Sequence, residues 1–168
     1  MKMPEALESA FNEQVTMELA SATSYLQMAA YFSHQNLGGM SSWMREQAGE
    51  ERSHADRFLD FILDRGGKAQ IGAVPAPQSE FSGPDEVFVA ALAQEEAVTE
   101  AIHDLYRLAT DLGDLSSFPF LQAFISEQNE EEAMVSSIVD RLRLAGGESS
   151  SLLLIDHELG TRVGDPGA

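Results

Sequence analysis

Long stretches with helical periodicity, separated by gaps rich in glycine and proline, are the strongest constraint on the fold of this chain. Between the gaps, apolar residues recur every three or four positions, the spacing that places them on one face of an α-helix. The glycines and prolines indicate where each helix begins or ends. We therefore predict an all-α chain whose helices cover about residues 4–34, 40–65, 84–113, 116–146 and 151–159.

The lengths of the connections predict the topology. Residues 68–83 contain Pro75 and Pro77 and are too irregular for a helix. At roughly 3.3 Å per residue, this segment can run the length of a bundle in extended form. The other connections between the long helices are short, so the chain is predicted to be a four-helix bundle with one long crossover and a short fifth C-terminal helix. The alternative is an α-solenoid, but the chain lacks an internal repeat of its own. We assign 1–160 to one domain and 161–168 to a disordered tail.

Composition excludes several classes of function. The chain has 168 residues, of which 28 are acidic and 10 basic, so its net charge is −18. Nucleic acids and anionic membranes are therefore unexpected partners, whereas cations are favoured. The absence of cysteine excludes disulfides, thiolate zinc sites and cysteine nucleophiles. Because neither a signal peptide nor a membrane span is evident, we expect a cytoplasmic protein.

Each long helix has a glutamate near the middle of the face that it is expected to bury. On the first helix, Leu7, Phe11 and Val15 are followed on the same stripe by Glu18. The corresponding residues of the other three helices are Glu51, Glu95 and Glu131. A lone buried carboxylate costs several kcal/mol or takes up a proton, and four together would also repel one another.

Bound cations would make these carboxylates tolerable. The nearby arginines are predicted to reach solvent instead of pairing with them: Arg45, Arg52 and Arg57. Glu51 and His54 are three residues apart, so both leave one helix face together, and Gln128 adds a neutral oxygen. A Glu-x-x-His with single glutamates on neighbouring helices is the pattern of di-iron and di-manganese bundle sites. Mixed carboxylate and imidazole ligands suit iron or manganese.

Simpler interpretations exist for each residue taken alone. A single glutamate on such a stripe is usually a rim residue and a single histidine a packed core residue, but four glutamates at similar depth argue against coincidence. A second acidic group has two open interpretations, an extra cation site or a solvated face; it comprises Glu50, Glu127, Glu130 and Glu132. Tyr25 is interpreted as a ligand-bonding or electron-donating residue, or as ordinary core.

Two further features are candidates for a role at the protein surface, one in subunit contacts and one in a channel. The apolar segment Leu152–Ile155 lies on a helix too short to be buried in the same bundle core, so we expect it to pack against other subunits. Asp111 and Asp114, near the turn before the fourth helix, are candidate channel acids or ordinary turn residues.

Taken together, these motifs resemble those of the bacterial non-haem ferritins over almost the whole chain. The segments that carry the resemblance are Asn12–Gln14 leading to Glu18, Glu50–His54, Glu95, Ser126–Glu132 and Ile155–Leu159. The resemblance implies a ferritin-like bundle that assembles into a hollow shell of 24 subunits. Such a shell takes up Fe(II), oxidises it with dioxygen or peroxide and stores ferric mineral.

The resemblance also implies roles for individual residues. The first iron position would be held by Glu18, Glu51 and His54. Glu51 would bridge to the second position, formed with Glu95, Glu131 and the nearby Gln128. A third iron position would use Glu50, Glu127 and Glu130. Tyr25 matches the tyrosine beside the two-iron centre.

The sequence differs from the bacterioferritins at two places, and these differences narrow the choice of family. Bacterioferritins carry a second Glu-x-x-His on the fourth helix, where this chain has Gln128–Glu131. They also have a haem-binding methionine where this chain has Arg52, so we expect no haem. The mini-ferritins that protect DNA place their metal site between subunits and lack this intrasubunit set. The remaining alternatives are a di-iron or di-manganese peroxidase or oxygenase, and a metal-free helical assembly protein.

Overall fold

The computed structural model describes residues 2–162, which form a helical bundle without strands. The helices are α1 (Glu5–His34), α2 (Gly38–Asp64), α3 (Pro84–Asp111), α4 (Phe118–Ala145) and α5 (Ser149–Arg162). A 3₁₀ turn, Leu115–Ser117, precedes α4. Because α1 packs along α2, α3 along α4 and α1 also against α3, the predicted four-helix bundle is confirmed. Within residues 2–162 no helix combines the length and apolar character of a membrane span.

Most helix ends lie where the glycines and prolines predict them. Pro4 precedes α1, and Pro84 is the first residue of α3, where a missing N–H costs nothing. Gly66, Gly113 and Gly146 follow α2, α3 and α4 with φ between 57° and 69°, the left-handed conformation that ends helices. At the C-terminus α5 extends two residues past the predicted boundary at 160, and the rest of the predicted tail, 163–168, lies outside the described residues.

The turn between α1 and α2 differs from the prediction. Its left-handed residue is Asn36, with φ of 58°, and α2 begins at Gly38 instead of near Met40. Gly39 serves a different purpose, because a Cβ there would lie 1.7 Å from the backbone oxygen of Asp156 in α5. The Asp156 carboxylate accepts a hydrogen bond from the backbone N–H of Met40 at 2.7 Å. Gly39 therefore permits α5 to cap the N-terminus of α2.

The long crossover between α2 and α3 follows the outer face of α1. Two polar side chains of α1, one helical turn apart, bind its backbone. Asn12 accepts from the N–H of Gln70 at 2.6 Å and donates to the carbonyl of Lys68 at 2.9 Å. Thr16 accepts from the N–H of Gly72 at 2.8 Å. The extended path predicted for this segment is confirmed, and hydrogen bonds to α1 fix its register.

The apolar core consists of two clusters, one toward each end of the bundle. One includes Tyr25, Phe32, Trp43, Phe88 and Leu159. The other includes Phe11, Phe58, Ile102, Leu121 and Phe124. On each long helix a buried polar residue lies at a chain position between these two sets: Glu18, Glu51, Glu95 and Gln128. Apolar packing on both sides therefore holds a polar middle layer in place.

Helix α5 is buried more deeply than predicted. Ile155 and Leu159 belong to the core cluster that contains Trp43, so the expectation that all of Leu152–Ile155 packs on other subunits is wrong. The two outward residues of that segment, Leu153 and Leu154, are 60% and 57% exposed. A short helix can contribute to the core here because the close approach at Gly39 brings it against α2.

Asp114 has a structural role. It is 1% exposed and pairs with Arg65, which follows α2, at 2.7 Å; Ser117 also donates to it. This guanidinium lowers the pKa of the Asp114 carboxyl below its ordinary value. The channel interpretation is therefore wrong for Asp114, whereas Asp111 is exposed.

We predict that alanine destabilises the protein at only one of the two adjacent glycines of α2. Gly39→Ala should lower the unfolding free energy by about 1–3 kcal/mol, because its Cβ would displace α5. Gly38→Ala is the matched control, since a Cβ there meets no described atom within 4 Å. Thermal unfolding followed by circular dichroism measures both. Equal midpoints for the two variants would contradict the packing described for α5.

Candidate metal centre

Helices α1 and α2 bring three ligand-type side chains together in the middle of the bundle. Glu18, Glu51 and His54 are all buried, and each offers one ligand atom within 4.8 Å of the others. Glu51 and His54 leave α2 from one face, as their three-residue spacing predicts, and His54 Nδ1 lies 3.3 Å from Glu51 Oε2. Glu18 comes from the facing side of α1. A divalent cation would find two carboxylates and one imidazole here.

Helices α3 and α4 add further polar groups beside this trio. Glu95 of α3 is fully buried. Gln128 of α4 donates from Nε2 to Glu95 Oε2 at 3.1 Å, and the Tyr25 hydroxyl of α1 donates to Glu95 Oε1. On the other side of the site, Gln14 donates to Glu18 Oε1 at 2.8 Å. Neutral amide and phenol groups thus orient the carboxylates without cancelling their charge.

Three buried oxygens at the site have no hydrogen-bond partner among the described residues. They are Glu18 Oε2, Glu131 Oε2 and Gln128 Oε1. A buried polar atom without a partner costs about 1–3 kcal/mol. Hard oxygen donors of this kind suit iron or manganese, so the donor set fits a cation bound at this position.

Of the four predicted central glutamates, Glu131 is the least buried. It is half-buried, whereas Glu18, Glu51 and Glu95 are buried. It still interacts electrostatically with Glu95 and Glu50. The structure therefore places all four glutamates around one region, with Glu131 at its edge.

The second acidic group is more open. Glu50 and Glu130 are exposed, and Gln47 donates to Glu50 at 2.8 Å. Glu127 is half-buried, and its Oε2 is 2.7 Å from Arg57 Nη1 and 3.3 Å from His54 Nε2. The prediction that Arg57 simply reaches solvent is wrong. Cation binding by this second acidic group stays a prediction.

Comparisons with known proteins give a consistent result for the whole chain. The family model described as the ferritin-like domain matches residues 8–145. The bacterial non-heme ferritin of Escherichia coli O6:H1 is 38% identical over 161 residues, covering 96% of this chain and 97% of that protein. The bacterial non-heme ferritin of Staphylococcus saprophyticus is 40% identical over 159 residues, covering 95% of both. The chain belongs to the ferritin family.

Solved ferritin structures share the fold closely. An engineered closed form of the Archaeoglobus fulgidus ferritin superposes with a TM-score of 0.93 at 40% identity, covering 95% of this chain and 97% of that one. The open-pore ferritin of the same archaeon gives a TM-score of 0.93 at 40% identity, covering 94% and 96%. The resemblance inferred from the sequence motifs is confirmed.

Burial and mutual repulsion shape the electrostatics of this ferritin's centre. Burial, then the neighbouring Glu51 carboxylate, raises the pKa of Glu18 well above its ordinary value. Burial and the nearby Glu95 do the same to the pKa of Glu51. Burial, with Glu50 and Glu95 close by, raises the pKa of Glu131 to about 7. Within residues 2–162 no lysine or arginine forms an ion pair with any of these three. Metal-free, the centre therefore holds its carboxyl protons to higher pH than free glutamates do.

Sequence reasoning missed two residues that touch the site. Gln14 lies four residues before Glu18 on α1, a spacing that places both on one face. Arg57 lies three residues after His54 on α2 and shares its face in the same way. Spacing could have identified both as neighbours, but the partner of Arg57, Glu127, lies 70 residues away in the chain.

The raised carboxyl pKa values predict how the stability of the metal-free protein depends on pH. A carboxyl whose pKa is higher when folded stabilises the fold below its ordinary pKa of 4.5, and this contribution is lost as pH rises through the folded pKa. For Glu131 that window runs from about 4.5 to about 7. After chelation, the unfolding midpoint should therefore fall by a few degrees between pH 5 and pH 8, as measured by scanning calorimetry.

Glu131→Gln should reduce this fall, because the amide has no charge to bury. Glu130→Gln, at the exposed neighbouring position, is the control and should keep the wild-type pH profile. An identical pH profile for both variants would show that Glu131 does not titrate as described.

Proposed function

We propose that this ferritin oxidises Fe(II) at a two-iron centre within each subunit and stores the ferric product. The names of its relatives, bacterial non-heme ferritins, support iron handling in general. The observation that carries the proposal is the buried Glu18–Glu51–His54 trio with its surrounding oxygens that lack hydrogen-bond partners. Fe(II) is the substrate of this site and its oxidised form the cargo.

The geometry supports the division of the ligands between two iron positions. Glu18 and His54 would serve the first and Glu95, Glu131 and Gln128 the second. Glu51 would serve both, which is supported by its contacts with Glu18 on one side and Glu95 on the other. Tyr25 would orient Glu95 through the hydrogen bond that it donates.

The residues also handle protons in the proposed reaction. Carboxyls that are protonated in the metal-free centre must release their protons when cations bind. Bound iron supplies the redox chemistry: two Fe(II) give one electron each, and dioxygen with two protons becomes hydrogen peroxide. Peroxide as the oxidant would take two electrons and two protons and become two waters.

The proposal extends to assembly and to a further cation position. A hollow shell of 24 copies is supported by the close match to ferritins, and Leu153 and Leu154 offer apolar surface for subunit contacts. A third iron at Glu50, Glu127 and Glu130 is supported by the nearness of Glu50 and Glu127 to Glu131, whose pKa both of them raise. The absence of haem, nucleic acid and membrane partners and the cytoplasmic location stay predictions.

Removing the shared ligand should abolish fast oxidation. In Glu51→Ala both iron positions lose a carboxylate, so the fast aerobic phase of Fe(II) oxidation should slow by at least 100-fold in stopped-flow absorbance measurements. Glu46→Ala, an exposed position on the same helix, is the control and should leave the progress curve unchanged. Oxidation by Glu51→Ala at the wild-type rate would contradict the assignment.

An iron-storage protein differs from other di-iron proteins in how much iron each chain can hold. When many Fe(II) equivalents per subunit are added in air, a storage protein should keep all the iron soluble as a ferric core visible by electron microscopy. A di-iron or di-manganese peroxidase or oxygenase would retain about two metals per chain while the excess precipitated. A metal-free assembly protein would retain none, and either result would contradict storage.

A further inference from the structure

A cavity of about 270 Å³ lies between α1, α3 and the crossover, and we call it the crossover cavity. The crossover contributes Pro75–Pro77 to its wall, and α3 contributes Gln94 and Ala97. The residues that line it from α1 include Met17, Ser21 and Ser24. None of its lining residues carries a charge, although the chain has a net charge of −18.

The wall of the crossover cavity includes direct chain neighbours of the centre. On α1, Ser21 lies one helical turn after Glu18 and one turn before Tyr25, so the three share one side of the helix. Ser21 is 4% exposed. On α3, Gln94 directly precedes Glu95. The cavity and the centre therefore share two stretches of backbone, one on each helix.

The side chain of Gln94 brings a hydrogen-bond donor without a partner to this wall. Its Nε2 is buried and has no hydrogen-bond partner among the described residues. An unpaired buried donor is destabilising, so a ligand that accepts a hydrogen bond from it is favoured. The hydroxyls of Ser21 and Ser24 can both donate and accept. The cavity therefore suits a small molecule that does both.

Charge disfavours ionic ligands in the crossover cavity. The carboxylates of the centre and the acidic chain repel anions, and an amide nitrogen that donates offers no lone pair to a cation. A second cavity, of about 240 Å³, lies along the same two helices and differs in charge, since Glu13 and Asp104 line it. Met17 lines both cavities. The crossover cavity is thus the uncharged one of the two.

We propose that the crossover cavity is a passage for hydrogen peroxide between solvent and the candidate centre. Hydrogen peroxide is uncharged, accepts a hydrogen bond from Gln94 and exchanges hydrogen bonds with the two serines. The inference rests on the proposed function, in which peroxide is either the product of dioxygen reduction or the oxidant. The passage performs no chemical step. It lets peroxide move without crossing the acidic surfaces that attract Fe(II).

Two alanines of α3, one turn apart, provide a matched test. Ala97 lines the crossover cavity and Ala101 the second cavity, so Ala97→Phe and Ala101→Phe each fill one of them. The protein is loaded with Fe(II) without oxygen and mixed with hydrogen peroxide in a stopped-flow instrument. Ala97→Phe should lower the second-order rate constant about tenfold. Ala101→Phe should keep the wild-type value.

Gln94→Leu tests the hydrogen bond without filling the cavity. The reaction with peroxide should slow several-fold, whereas the reaction with dioxygen, a poor hydrogen-bond acceptor, should keep its wild-type rate. The unfolding midpoint of the metal-free variant should rise, because an unpaired buried amide is removed. A lower midpoint together with a wild-type peroxide rate would show that the amide serves the fold, and would contradict the inference.

The failure of the inference and that of the proposed function give different results. Fast wild-type oxidation by peroxide that Ala97→Phe leaves unchanged, or that Ala101→Phe slows more, overturns the inference alone. If neither peroxide nor dioxygen oxidises Fe(II) faster with wild-type protein than in buffer, the proposed function fails. If only dioxygen reacts, an external peroxidase assay decides, since Ala97→Phe should delay the release of peroxide and Ala101→Phe should not.

Calorimetric titration with Zn²⁺ establishes that the variants keep an intact centre. Ala97→Phe, Ala101→Phe and Gln94→Leu should all bind Zn²⁺ with wild-type affinity, because none of the three positions is a proposed ligand. If Ala97→Phe does not fold, the smaller Ala97→Leu takes its place against Ala101→Leu. Equal peroxide rates in that pair would overturn the inference.

Discussion

Burial of carboxylates around one imidazole, in the middle of a helical bundle, is the constraint to which the rest of this structure adapts. The centre itself opposes folding, because its acids are desolvated and repel one another. The favourable free energy comes from the apolar clusters on either side, which include a group of contacting rings formed by Phe11, Phe58 and Phe120. Rigid packing on both sides means that protons or cations, instead of side-chain movement, balance the charge.

Helix α2 supplies two of the three residues of the trio and is held in place at both ends. It supplies Glu51 and His54 to the trio. At its N-terminus, Asp156 of α5 binds the backbone of Met40. Just past its C-terminus, Arg65 pairs with the buried Asp114. The Glu-x-x-His spacing sets the direction of the two ligands on the helix, and these distant contacts set the helix in the bundle.

The parts of the structure that the sequence predicts are those governed by local chemistry. Helical periodicity and the left-handed glycines after α2, α3 and α4 are properties of short segments, so the helices and their order could be predicted. The central glutamates were identifiable because a carboxylate interrupts an otherwise apolar stripe. The start of α2 was predicted two residues too late because Gly39 was interpreted as part of the turn. Its lack of a side chain instead permits a close contact with Asp156, which is far away in the chain. Arg57 was assigned to solvent for the same reason, since its partner lies on α4.

The position of Arg57 follows from what the centre requires. An arginine in direct contact with Glu18 or Glu51 would neutralise the ligands permanently, because a guanidinium does not deprotonate, and the centre would lose its demand for cations. At its actual position Arg57 pairs with Glu127 instead of with the trio. The negative charge of Glu127 is one of the causes that raise the pKa of Glu131. Arg57 is then held by Phe124 and Glu127 and leaves the carboxylates of the trio uncompensated. An acidic chain can thus hold one of its few basic residues close to the centre without occupying the place of the cation.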